Sequence, residues 1–310
     1  MRVVRRRAVD LIPRRRASRS RAARWSLAAL TLGVALTAGC TRRTLVLPVR
    51  LEPEALPALT RLGFPRTYET AIPAVASILV RELGLPLPRR LTVFVFPIRA
   101  AYAAGLASVG EVPPEHAGEL ATSSIGLGQH RRLFINDEAL RGHCRSAWLG
   151  LLAHELTHAA QHELSGGRRG RSEQWLREGM AEWVAARVLD RLGEVAFHAR
   201  RERALRAVAQ ARPSLEGPPA YRLAFLLTDD LIRSSGFGSL SAYFRSFADS
   251  DEQARNFTAA FGVSRDEFAP DALDRMRREM DRVDGMRRGE SSQESSHEIP
   301  TIDEQEGCEE

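Results

Sequence analysis

The chain has 310 residues, 44% of them hydrophobic and 27% charged, the balance of a globular protein with a sizeable core. Its net charge of +6 invites a nucleic-acid partner, but ten Arg against one Asp lie in residues 1–25, and the remainder holds 35 Arg against 38 acids. A basic nucleic-acid-binding surface is therefore excluded, and three cysteines (Cys40, Cys144 and Cys308) exclude a disulfide framework or a Cys-rich metal site.

In chain order, Arg14 to Trp25 is basic, Ser26 to Ala38 is apolar, and Gly39-Cys40 follows. This is the pattern of a secretory signal over residues 1–39, with an apolar run too short for a comfortable membrane span. Leu36-Thr37-Ala38-Gly39-Cys40 resembles the lipobox of bacterial lipoproteins, with Thr37 where Leu is usual. The resemblance implies cleavage before Cys40, a diacylglycerol on its sulfur, and an exported protein lipid-anchored in the cell envelope. Thr41 resembles the residue that sorts such proteins to an outer membrane, where the host has one. The alternative is an ordinary signal peptide with an incidental Cys.

Residues 40–66 are expected to form a lipidated segment with one strand, Thr44–Val49, and residues 67–287 the main domain. There, Thr67–Leu83 reads as a helix with Pro73 near its start, Leu91–Phe96 as a strand, and Arg99–Ser108 as a small-residue helix. A loop at Gly110–Pro114 precedes two strand candidates, Ala121–Gly126 and Arg132–Ile135. From Ser146 the pattern is helical: Ser146–Leu164 places Leu149, Leu152, Leu156 and Ala160 on one face. The linker Gly166–Gly170 follows, then a helix Ser172–Leu192 with Ser172 as its cap. Further helices fit Glu194–Ala211, Ala220–Ser234, Ser239–Ala248 and Glu252–Phe261. Ser264 with Glu267 signals a capping box for a last helix to about Val283. Residues 288–310 hold eight acids, one Arg and many Ser, and are expected to be disordered. Cys144 and Cys308 form a possible pair in an oxidising compartment. The fold class predicted is α+β, with a small mixed sheet in the N-terminal half and a mainly helical C-terminal half.

His154-Glu155-Leu156-Thr157-His158 carries the spacing H-E-x-x-H. Residues four apart on a helix lie one above the other, so two imidazoles reach one ion. Zinc favours imidazole nitrogen and a tetrahedral shell with one open position. Glu155 lies beside the pair, where a carboxylate can take the proton of a metal-activated water as it attacks a carbonyl. Two His and a Glu in the middle of an apolar helix are costly unless they have such work. A third ligand six residues after His158 is ruled out because position 164 is Leu. His162, one turn further along the same helix, reaches the ion poorly and is expected at the surface or behind the ligands.

Trp175-Leu176-Arg177-Glu178-Gly179-Met180-Ala181-Glu182 resembles the W-x-x-E-G-x-A signature of gluzincin metallopeptidases. It is similar to the peptidase-MA-like group and, more distantly, to the zinc aminopeptidases. The resemblance spans roughly residues 67–283 and implies a zincin-like fold, Zn2+ as cofactor, Glu178 as third ligand, and peptide or protein as substrate. Nineteen residues separate His158 from Glu178, one more than in the aminopeptidases, and the Gly-Arg linker can absorb it. By similarity to thermolysin-like enzymes, Glu182 would hold the outer N–H of a ligand His. Tyr221 resembles the family's tyrosine donor to the developing oxyanion, with His198 a weaker candidate. The clan binds extended peptide on an edge strand before the zinc helix, here Ala121–Gly126 or Arg132–Ile135. Trp148 and Trp175 are expected in the core rather than at substrate. A second reading is a non-catalytic zinc-binding envelope lipoprotein acting as an interaction module.

Overall fold

A computed structural model of the chain describes residues 43–210 and 218–291. Four strands, β1 (Leu45–Arg50), β2 (Arg90–Phe96), β3 (Gly126–Gly128) and β4 (Arg132–Asn136), form one sheet in the order β1-β2-β4-β3. β2 and β4 are parallel; β1 and β3 run antiparallel to their neighbours and form the two edges. Three helices, α1 (Tyr68–Arg81), α2 (Arg99–Ser108) and α3 (Pro114–Ser123), lie among the strands in sequence. Seven follow: α4 (Arg145–Leu164), α5 (Gln174–Arg191), α6 (Phe197–Gln210), α7 (Pro218–Ser235), α8 (Phe237–Ser246), α9 (Gln253–Phe261) and α10 (Arg265–Ser291). The class is α+β, with its strands in the N-terminal half. Among the described residues no helix is long and apolar enough to cross a membrane.

Alternation along the two central strands sorts their side chains between layers. Leu91, Val93, Val95, Leu133 and Ile135 enter the large core shared with α1, α4 and the helical half. Phe94, Phe96 and Phe134 face the other way, onto Tyr102 and Leu106 of α2 and Ala117 and Ala121 of α3. A fully buried large apolar side chain contributes about 1.5–3 kcal/mol and a helix cap about 1 kcal/mol, so packing decides where these elements sit. Trp148 packs edge-on against Tyr68 at 5.2 Å, and Trp175 lies 6.4 Å from Phe257, both against the main core.

Several boundaries differ from expectation. Ala121–Gly126 is not a strand: its first half ends α3, and the edge strand begins only at Gly126. Pro114 opens α3, and Ala117 and Ala121, four apart, give it a narrow buried face against α2. The boundary at residue 67 also moves. β1 pairs with β2 along its whole length, and Leu51 and Leu56 are buried in the main core, so residues 43–66 belong to the same folded unit. α5 is capped at Glu173 rather than Ser172. The Ser264–Glu267 box is present, with Glu267 N–H donating to Ser264 Oγ (3.3 Å) and Ser264 N–H to Glu267 Oε2 (3.1 Å). Behind it α10 runs to Ser291, so residues 288–291 are helical. The signal segment, Cys40, the remaining acidic tail and Cys308 lie outside the described residues; Cys144 is a free thiol with Sγ 2.9 Å from Ser146 Oγ.

Candidate metal centre and cleft

The site is built where α4 crosses α5. Leu149, Leu152, Leu156 and Ala160 bury one side of α4 and hold it fixed. That leaves His154 and His158, one turn apart, facing α5, with rings inclined at 86° and Nε2 atoms 3.1 Å apart. Glu178 on α5 brings Oε2 to 3.3 Å from His154 Nε2 and 3.4 Å from His158 Nε2. Four donors placed tetrahedrally about 2.0–2.1 Å from an ion stand about 3.3–3.4 Å from one another. The triangle of His154, His158 and Glu178 has those edges, so the three side chains fit a first-row metal with one corner left over. Among the described residues this is the one group of three such side chains that converges.

The outer nitrogens are both engaged, which turns both inner nitrogens toward the same point. His154 Nδ1 lies 2.9 Å from Glu182 Oε1, and Arg200 Nη2 donates to Glu182 Oε2 at 2.7 Å. His158 Nδ1 lies 2.9 Å from Gln161 Oε1, and Gln161 Nε2 donates to the carbonyl of Arg177 at 2.8 Å. Without metal, burial opposes charge on His154, but bonds to Glu178 and Glu182 outweigh it and raise its pKa to about 10. Burial likewise opposes charge on the two carboxylates and is again outweighed. The imidazoles hold Glu178 well below the carboxylate range, while His154 and Arg200 bring Glu182 to about 2.

Glu155 is buried beside this group, and its Oε2 accepts the backbone N–H of Gly128. The approach is close: a Cβ at position 128 would stand 2.5 Å from the Glu155 carbonyl oxygen, and one at 126 would stand 3.1 Å from Glu155 Cγ. Glycine at both positions lets the edge strand lie directly on the motif helix. Ile125 carbonyl and Gln129 N–H both bond across to β4, so Gly126 and Gly128 between them face away from it.

A cleft of about 470 Å³ opens beside the triangle, lined among others by Gly126, His154, Glu155, Glu182, Arg200 and Tyr221. Tyr221 on α7 is exposed, its ring 6.4 Å from that of His154. Partial burial and the negative charges of Glu178, Glu182 and Glu155 raise its pKa, so the phenol keeps its proton. His198 lies exposed on α6 and does not line the cleft. His162 is apart from the triangle, stacked on His130 at 4.1 Å.

Three side-chain or backbone groups at the site were missed in the sequence: Gln161, Gly128 and Arg200. Gln161 had a signal, since it lies three residues after His158 on the same helix face. The Gly-x-Gly of β3 reads as a loop until its contact with Glu155 is known. Arg200 is one of 45 Arg and carried none. No family model matches the chain, and no curated protein or solved structure compared with it matches either.

Proposed function

We propose that the chain is a zinc-dependent peptidase of the gluzincin type, carried in the cell envelope as a lipoprotein on Cys40. The observation that carries the reading is the triangle of His154, His158 and Glu178, whose edges suit a tetrahedral ion with a vacant corner. The non-catalytic alternative calls for a closed four-ligand site, and among the described residues no fourth His, Cys, Asp or Glu joins the three.

The residues divide the work as follows. Zinc held by the three donors supplies a Lewis acid that polarises a carbonyl and lowers the pKa of water. Glu155, fixed through Oε2 by the Gly128 N–H, takes the proton of the attacking water on its other oxygen and passes it to the departing amine. Tyr221, protonated at neutral pH, donates to the developing oxyanion. Arg200, pinned by Glu182 and facing the cleft, offers its remaining N–H groups to a substrate carbonyl. An extended peptide runs along β3 beside the cleft, antiparallel to the strand.

The test separates metal from chemistry. Glu155→Gln is expected to bind one zinc per chain like the wild type but to cleave a peptide library about 10²–10⁴-fold more slowly. Metal analysis and quantitative cleavage on the same preparations check this. Undiminished cleavage by that variant rejects the mechanism.

A further inference from the structure

A second cavity lies where the β3–β4 hairpin turns, at the far end of the edge strand. It measures about 410 Å³ and is lined by Glu111, Gln129, His130, Arg131, Arg132 and His162. Most of its polar atoms are tied to the fold. Gln129 Nε2 donates to the Gly110 carbonyl at 2.6 Å, and Arg132 Nη2 pairs with Glu111 Oε1 at 2.9 Å. His130 pairs with Glu163 on α4 and stacks on His162, the rings 13° from parallel. Arg131 differs: it is exposed, lines the cavity, and among the described residues no hydrogen bond or ion pair engages its guanidinium. The lining thus offers two Arg and two imidazoles against one carboxylate, itself already paired.

The cavity is in line with the proposed active cleft. Gly126 lies against Leu151 and Glu155, Gly128 against Glu155, and His130 against Glu163, so the strand and its turn advance along α4 toward the helix C-terminus. His162 is six residues beyond the midpoint of His154 and His158, about 9 Å at 1.5 Å per residue. An extended peptide covers that distance in about three residues at ~3.3 Å each. Antiparallel pairing, the more stable ladder, puts the N-terminal side of the substrate over the C-terminal end of β3.

We infer that this cavity is a specificity subsite for an acidic side chain, Asp or Glu, about three residues before the cleaved bond, with Arg131 as the determinant. The inference rests on the peptidase reading above. Arg131 closes on the carboxylate, while His130 and His162, locked by stacking and by Glu163, form the polar wall behind it. A solvent-facing Arg–carboxylate contact of this kind gives a modest preference, about threefold to tenfold.

The test uses the zinc-loaded full-length chain and a peptide library randomised on both sides of a central bond. The wild type is expected to favour Asp or Glu two to four residues before the cleaved bond by about threefold to tenfold. Arg131→Gln should lose that preference through KM, and Arg131→Glu should invert it toward Arg and Lys. Cleavage without acidic preference, or with a preference that Arg131→Gln retains, overturns the inference. If the zinc-loaded wild type cleaves nothing, the peptidase reading fails on its own. Binding of a fluorescein-labelled Glu-rich peptide to wild type and Arg131→Gln then decides the subsite: tighter binding by the wild type sustains it, and equal binding overturns it.

Discussion

At the scale of single residues, the pairing of His154 with Glu178 and Glu182 sets how the centre responds to pH. A metal must take the deprotonated imidazole, yet in the metal-free protein the His154 pKa stands near 10. Zinc binding at pH 8 is therefore expected to release about one proton from His154. Apparent affinity should rise about tenfold per pH unit up to about pH 10 and level off above it. Calorimetry in buffers of different ionisation enthalpy counts the proton. The stability sign is fixed by the same group. A raised pKa stabilises the metal-free fold below the unfolded value of 6.5, and that contribution is lost as pH rises through about 10. The metal-free protein should thus melt progressively earlier across that alkaline window, while the zinc-loaded one does not follow it. Glu182→Gln removes the carboxylate behind His154 and is expected to weaken zinc binding about 10–100-fold, read by competition with a chelator. His154, Glu155 and His158 were legible because one helix places them by spacing alone. Glu178 and Glu182 needed the resemblance, since nothing in the linker between α4 and α5 states how the second helix returns.

At the scale of elements, the position of Glu178 depends on how closely α5 packs on α7. Gly179 permits it: a Cβ there would lie 2.1 Å from Thr228 Oγ1 and 2.4 Å from the Ala224 carbonyl oxygen. The second of these is backbone and cannot turn aside, so a larger residue must push the helices apart. Gly179→Ala is expected to cost about 1–3 kcal/mol or more by overpacking and to weaken metal binding as Glu178 withdraws. A denaturant melt and a zinc titration on one preparation test both parts. The helices from α4 to α9 were readable within a few residues from their apolar positions, whereas α10, highly charged over its second half, runs to Ser291, eight residues past its expected end. The short elements were not. α3 buries little besides Ala117 and Ala121, so its pattern is too faint to tell from a strand. β3 is three residues with two glycines, and neither periodicity nor propensity marks it.

At the scale of the whole molecule, residues 43–66 are part of the sheet rather than a tether, because β1 completes one edge and Leu51 and Leu56 enter the core. The helical half is knit by a buried carboxylate: Asp229 accepts from Trp183 Nε1 at 3.1 Å and pairs with Arg201 and Arg233. Arg201 continues to Glu279, so α5, α6, α7 and α10 share one polar junction. If Cys40 carries a lipid, only residues 41–44 separate that anchor from β1 in sequence. Cells grown with labelled palmitate should label the wild-type chain and not Cys40→Ser; equal labelling would remove the anchor from the proposal.

The two edge strands of the sheet invite unwanted partners, and each meets the hazard differently. β1 carries Pro48 near its middle, which lacks the N–H another chain would need. β3 is too brief to template a ladder between copies, and its outward Gly128 N–H is already held by Glu155 Oε2. The same brevity means that three residues of pairing hold a visiting chain only weakly, and dwell time must come from grips beyond either end of the strand.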